Sequence, residues 1–194
     1  MIVVSEKSID TAEAYFDALG EKEASEISIR FAVEQPYLLL FLQAMSVLEE
    51  DDIIEDDDDP EDTADELTDN PLLEELTYYA MLIWKAFETE AGKVPLITEQ
   101  ELEEQSGASM VELQNLLSIV ESNNPEAMVR QLELLRQPVL VTYLLATFFG
   151  DEEETGDAGE DEENDEANYL FLICAQVIMM LDGKVNGNSR TAVR

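Results

Sequence analysis

The chain has 194 residues, is 45% hydrophobic, and sets 46 acidic against 10 basic residues for a formal net charge of −36. That apolar content can build a substantial core in one domain or two small ones, and the charge argues against direct binding to nucleic acid or an anionic membrane. The lone Cys174 and the absence of histidine argue against a disulfide, a thiolate metal cluster, a Ser-His-Asp triad and the common zinc sites.

Helix punctuation is dense along the chain. Ser8 precedes Ile9, Ala12, Phe16 and Leu19 at helical spacing, and Gly20 follows, which predicts a capped amphipathic helix with a glycine stop. A second helix is expected over 23–34. Pro36 opens a third, apolar nearly all round to about Glu49 and therefore expected at the centre of a bundle. Asn70-Pro71 caps and opens a fourth that stops near Gly92. Thr98 with Glu101 forms a capping box for a short helix ending before Gly107, and Ser109 with Glu112 forms another for a helix to Val120. Asn124-Pro125 starts a helix through Leu135, Pro138 one that ends at Gly150, and a last helix spans about Ala167 to Asp182 with Gly183 as its stop. Ile2-Val3-Val4 is β-prone but too short to predict a strand. The expected fold is all-α, a bundle of about nine helices.

Self-comparison divides these helices into two related halves. Gln35-Pro36-Tyr37-Leu38 aligns with Gln137-Pro138-Val139-Leu140 at a shift of 102 residues, where Phe41 meets Tyr143, Leu42 meets Leu144 and Ala44 meets Ala146. The helix from Ser8 falls on the one near Ser109. Tyr78-Tyr79-Ala80-Met81-Leu82-Ile83 aligns with Tyr169-Leu170-Phe171-Leu172-Ile173-Cys174 at a shift of 91, so the second half is shorter between its anchors by 11 residues. The expected organisation is a first repeat over 1–97 with an acidic insert at 49–69, a second over 98–183 with an insert at 151–166, and a mobile tail over 184–194. The four-helix halves are expected to pack as one body with pseudo-two-fold symmetry.

The inserts hold 25 of the 46 acidic residues, fourteen in 49–69 and eleven in 151–166, and no basic one. The remainder carries a net charge of only −11. Salt adaptation would spread acidity over the whole surface, so this concentration asks for a local explanation. Like charges at such density repel and oppose compact structure. The plain reading is two solvated loops that keep the protein in solution. The leading functional reading is a non-catalytic interaction module that docks a basic protein through Asp56, Asp57, Asp58, Asp59, Glu61 and Asp62 of the first insert and Glu152, Glu153, Glu154, Asp161, Glu162 and Glu163 of the second. Two linked clusters raise effective concentration, and opposite charge speeds encounter.

Three alternatives stand beside it. Carboxylates suit Ca²⁺ or Mg²⁺, and Asp151, Glu153 and Glu162 occupy positions one, three and twelve of a degraded EF-hand-like loop with Gly156 at six. Thr155 at five, Ala158 at eight and Gly159 at nine depart from that pattern. A DNA mimic requires ordered carboxylates in place of phosphates. A carboxylate-pair hydrolase is conceivable, but no pair stands out and no phosphate loop is present. No cofactor is expected. Cys174, Trp84 and Met179-Met180 lie in apolar runs and are expected in the core. The runs Val139–Phe149 and Tyr169–Leu181 fall short of the roughly 20 residues that cross a bilayer, and no basic lead precedes Ile2, so a cytoplasmic protein is expected.

Overall fold

The computed structural model describes residues 1–50, 70–104, 118, 135–150 and 160–187, the side chains of 48–50 and 160–165 excepted. The described chain is all-helical, without a strand. Its helices are α1 (Glu6–Asp17), α2 (Glu21–Glu34), α3 (Pro36–Glu50), α4 (Pro71–Ala91), α5 (Pro138–Phe149) and α6 (Glu160–Asn186), with a helical stretch at 99–104 between α4 and α5. The helices expected near Ser109–Val120 and after Asn124-Pro125 fall almost wholly outside the described residues. The chain bends at 135–136, where the second of them was expected to end.

Several termini follow the sequence chemistry. Asn70 caps α4 by accepting from Leu73 N at 2.8 Å, with Pro71 in the first turn. The Thr98–Glu101 capping box forms, Glu101 Oε2 accepting from Thr98 N at 2.9 Å. Other termini shift. Ser5, not Ser8, caps α1, because Ser5 has extended backbone and accepts from Ser8 N at 3.3 Å. Ser8 is buried one turn inside. Gly20 does not stop α1; Ala18 is its C-cap, and Gly20 instead precedes α2, which starts at Glu21. Gly183 does not stop α6, which runs to Asn186 and ends at Gly187 with φ 75°, as α4 ends at Gly92 with φ 74°. Those two positions have the left-handed backbone that glycine adopts at low cost. The last helix also begins at Glu160 rather than Ala167, so part of the second acidic insert is helical.

The centre of the bundle is α4, which packs against α1, α3 and α6, while α5 packs on α6 and α1. Leu76, Leu82, Ile83, Trp84 and Phe87 of α4 are fully buried, each contributing about 1.5–3 kcal/mol by leaving water. The expectation that α3 is wholly central is corrected. Leu38, Phe41 and Leu42 are buried, but Leu40 is 56% exposed, so one side of α3 faces away from the core. Trp84 and Met180 are core residues as expected. Phe31 meets the Trp84 ring edge-to-face at 5.5 Å, and the Arg30 guanidinium lies 4.8 Å above it.

Two extended segments are tied down by the glutamines that precede α3 and α5. Gln35 Nε2 donates to Pro95 O and Gln35 Oε1 accepts from Ile97 N, both at 3.1 Å. Gln137 Nε2 donates to Ile2 O at 2.9 Å and Gln137 Oε1 accepts from Val4 N at 2.8 Å. Ile2-Val3-Val4 is therefore not a strand but a leader whose backbone groups are satisfied by side chains. Asn186 adds to it, its Oδ1 accepting from Ile2 N at 2.5 Å and its Nδ2 donating to Ile2 O at 2.8 Å. The expected mobile tail from Lys184 is corrected by these bonds. Residues 184–186 are helical and bonded to the body, and 188–194 lie outside the described residues.

Candidate functional site

Of the residues singled out in the acidic inserts, Asp56, Asp57, Asp58, Asp59, Glu61, Asp62, Asp151, Glu152, Glu153 and Glu154 lie outside the described residues. Asp161, Glu162 and Glu163 stand in the first turn of α6, where acids complement the helix dipole, and their side chains lie outside the description. Among the described residues no group of three or more His, Cys, Asp or Glu is arranged to hold a metal ion.

What the structure does define is where each insert is rooted. The first leaves α3 and returns at Asn70, and the second leaves α5 and returns into α6. Tyr169 of α6 donates from its hydroxyl to Met45 O near the end of α3 at 2.5 Å. Phe148 at the end of α5 stacks edge-to-face on Tyr79 of α4 at 4.9 Å, and Phe149 on Phe171 of α6 at 5.7 Å. Glu75 in the second turn of α4 is within electrostatic reach of Glu166 of α6. The last turns of α3 and α5, the first turns of α4 and the part of α6 around Glu166 and Tyr169 thus meet at one end of the body.

That end is lined by aromatic rings and carboxylates. Edge-to-face contacts run from Tyr15 to Phe16 at 5.4 Å, to Tyr78 at 5.8 Å, to Tyr79 at 5.3 Å, and on to Phe148. Glu13 Oε1 accepts from the Tyr143 hydroxyl at 2.9 Å. Burial and then the hydrogen bond to Glu13 push the Tyr143 phenol well above its ordinary value. Burial, then Glu75, pushes Tyr79 up to about 12. Tyr78 is raised by burial and by Asp17 and Glu13. Burial and Glu166 raise the Glu75 carboxyl. Burial is the first cause of each shift, and nearby negative charge adds to it.

The single cysteine of the chain is closed to solvent. Cys174 is fully buried, and burial first, then Glu75, pushes its thiol far up. A thiol held protonated and away from solvent is inert.

The opposite end differs. Glu88 near the end of α4 accepts from Lys85 at 2.7 Å and from both terminal nitrogens of Arg30, which also pairs with Glu34 at 2.8 Å. Glu101 pairs with Lys184 at 2.7 Å. Asp182 is buried and accepts from Gln137 at 2.7 Å, Asn186 at 2.8 Å and Arg136 at 3.4 Å. Glu90 Oε1 accepts from the hydroxyls of Ser5 and Ser8, each at 2.6 Å.

The sequence located the inserts but not their common root, because the contacts that bring the roots together join residues of different helices.

Among the described residues one helical stretch, Glu166–Asn186, is long and apolar enough to cross a membrane by length and composition, with 67% of its apolar window buried in the body. No protein-family model matches the chain, and neither a curated protein nor a solved structure matches it.

Proposed function

We propose that the protein is a non-catalytic interaction module that docks a basic protein partner through two acidic segments presented from one end of a duplicated helical body. The observation that carries this reading is the common root of the two inserts, through Tyr169 on Met45 and Glu75 beside Glu166. Two polyanionic segments leaving neighbouring points act as linked sites on one partner, and their summed field steers a basic surface toward that end.

The duplication is part of the proposal, and three features support it. Gly92-Lys93-Val94 repeats as Gly183-Lys184-Val185 at the shift of 91 found between the aromatic helices. Gln35, before α3, holds the segment ahead of Thr98, and Gln137, before α5, holds the segment ahead of Ser5. Such reciprocal exchange, each half clasping the other's leader, is what a two-fold relation requires. Ser5 and Thr98 then become equivalent caps, at a shift of 93, in place of the pairing of Ser8 with Ser109. A two-fold axis running between α4 and α6 brings both inserts to the same end. We place such a module in the cytoplasm, away from membranes and nucleic acid.

The test uses full-length protein in which the acids of 56–62, 152–154 and 161–163 are changed to Asn or Gln. Binding to a basic protein is followed by calorimetry across a salt series. The parent is expected to bind with an affinity that falls steeply with salt, and the neutralised chain to lose both affinity and salt dependence. Equal binding by the two chains rejects the reading.

A further inference from the structure

We propose that Tyr78, packed against Phe16 near the end of α1, receives an arginine side chain of the basic partner on the helical body itself. This assignment rests on the docking reading and names the body's own contribution to it. Tyr78 is 38% exposed, large for a ring in the second turn of the central helix. Its ring is packed edge-to-face with Phe16 at 5.8 Å and with Tyr79 at 5.3 Å. A packed ring loses little entropy when a ligand stacks on it.

Charge fits a cationic occupant. Asp17 and Glu13 both act on the Tyr78 phenol, and Glu75 and Glu166 lie at the same end. An exposed ring within the field of nearby carboxylates attracts a cation by both its quadrupole and that field. The body already uses this chemistry twice. Arg30 lies 4.8 Å above Trp84, and Lys85 Nζ lies 4.7 Å above Tyr15, the ring next but one along the same aromatic row. Among the described residues no cation lies over Tyr78. Guanidinium is favoured over ammonium because it is planar, stacks on rings and is less strongly hydrated.

The experiment titrates labelled oligoarginine and oligolysine of equal length into the full-length parent, Tyr78→Leu, Tyr78→Phe, Asp17→Asn and the insert-neutralised chain, with circular dichroism as a check on folding. The parent should bind oligoarginine more tightly. Tyr78→Leu should lose roughly two- to five-fold in oligoarginine affinity and most of the preference, while Tyr78→Phe, which keeps the ring, should match the parent. Equal affinity of the parent for the two peptides overturns the assignment, and that comparison stands even if Tyr78→Leu fails to fold. If the insert-neutralised chain loses binding while Tyr78→Leu and Asp17→Asn bind as the parent does, the Tyr78 assignment fails and the docking reading survives. If the parent binds neither peptide, both fail.

Discussion

The two ends of α4 handle negative charge in opposite ways. Near its C-terminus Glu88 is met by Arg30 and Lys85, and Glu90 by two serine hydroxyls. Burial alone would raise Glu88, but the hydrogen bonds from Arg30 and Lys85 outweigh it and hold the carboxyl below its ordinary value. Near the N-terminus Glu75 meets burial and Glu166 and is raised. The same residue type on one helix is thus stabilised as an anion at one end and strained as an anion at the other. The cations of the described body that form ion pairs with acids of other helices are gathered at the end away from the inserts.

The largest expected effect breaks the well-paired end. Gln137→Leu removes the donor to Asp182 and Ile2 O and the acceptor for Val4 N. It leaves a buried carboxylate and two backbone groups short of partners, and should cost about 3–5 kcal/mol. Gln35→Leu orphans only Pro95 O and Ile97 N, with no buried charge behind them, and should cost about 2–3 kcal/mol. Urea unfolding of both variants checks the order; equal losses would show that Asp182 adds nothing to the clamp.

A smaller effect follows at the same end from Glu88→Gln, which leaves Arg30 and Lys85 without their shared anion. Arg30 is 38% exposed and can turn to water, so a loss of about 1–2 kcal/mol at neutral pH is expected. The pH dependence has a definite sign. Because Glu88 is depressed in the folded state, its contribution is present above the ordinary value of 4.5 and lost as pH falls through the lower folded value. Glu101 has the same sign; burial raises it, but Lys184 and Thr98 bring it down. Stability of the parent measured from neutral to acid pH should fall more steeply than that of Glu88→Gln. Parallel curves would mean that the pair contributes no pH-dependent stability.

The helical class, the proline-led starts of α3, α4 and α5, and the core placement of Trp84 were legible because they depend on neighbours within a few residues. The Gln-Pro repeat was visible as a pattern, but its use was not. Gln35 bonds a carbonyl 60 residues away and Gln137 an amide 133 residues away, distances that no local signal spans. Ser8 read as a cap because it precedes the apolar period; Ser5, three residues earlier, takes that role because its backbone is extended and its hydroxyl accepts from Ser8 N. Gly183 read as a stop, yet α6 continues. Lys184 reaches Glu101, and Asn186 reaches Ile2 and Asp182, and these tertiary bonds outweigh the roughly 1 kcal/mol that glycine costs inside a helix. The inserts announced themselves by composition, whereas their shared root at Met45, Tyr79 and Tyr169 depended on helix packing.

The smallest expected effect tests the insert end directly. Glu75→Gln keeps the shape of the side chain and removes its charge from beside Glu166. A carboxyl raised in the folded state contributes stability below its unfolded value, and that contribution is lost as pH rises through the folded value. At neutral pH the charged Glu75 therefore opposes folding, and its removal should stabilise the body by a few tenths of a kcal/mol, the size of a like-charge pair near water. The gain should shrink toward zero below pH 4.5, where the parent side chain is protonated as well. A destabilising Glu75→Gln at neutral pH would mean that this carboxylate is already compensated, and the contrast between the two ends of α4 would then not hold. The opposite sign from Glu88→Gln, on the same helix and with the same substitution, is the property that distinguishes the two ends of α4.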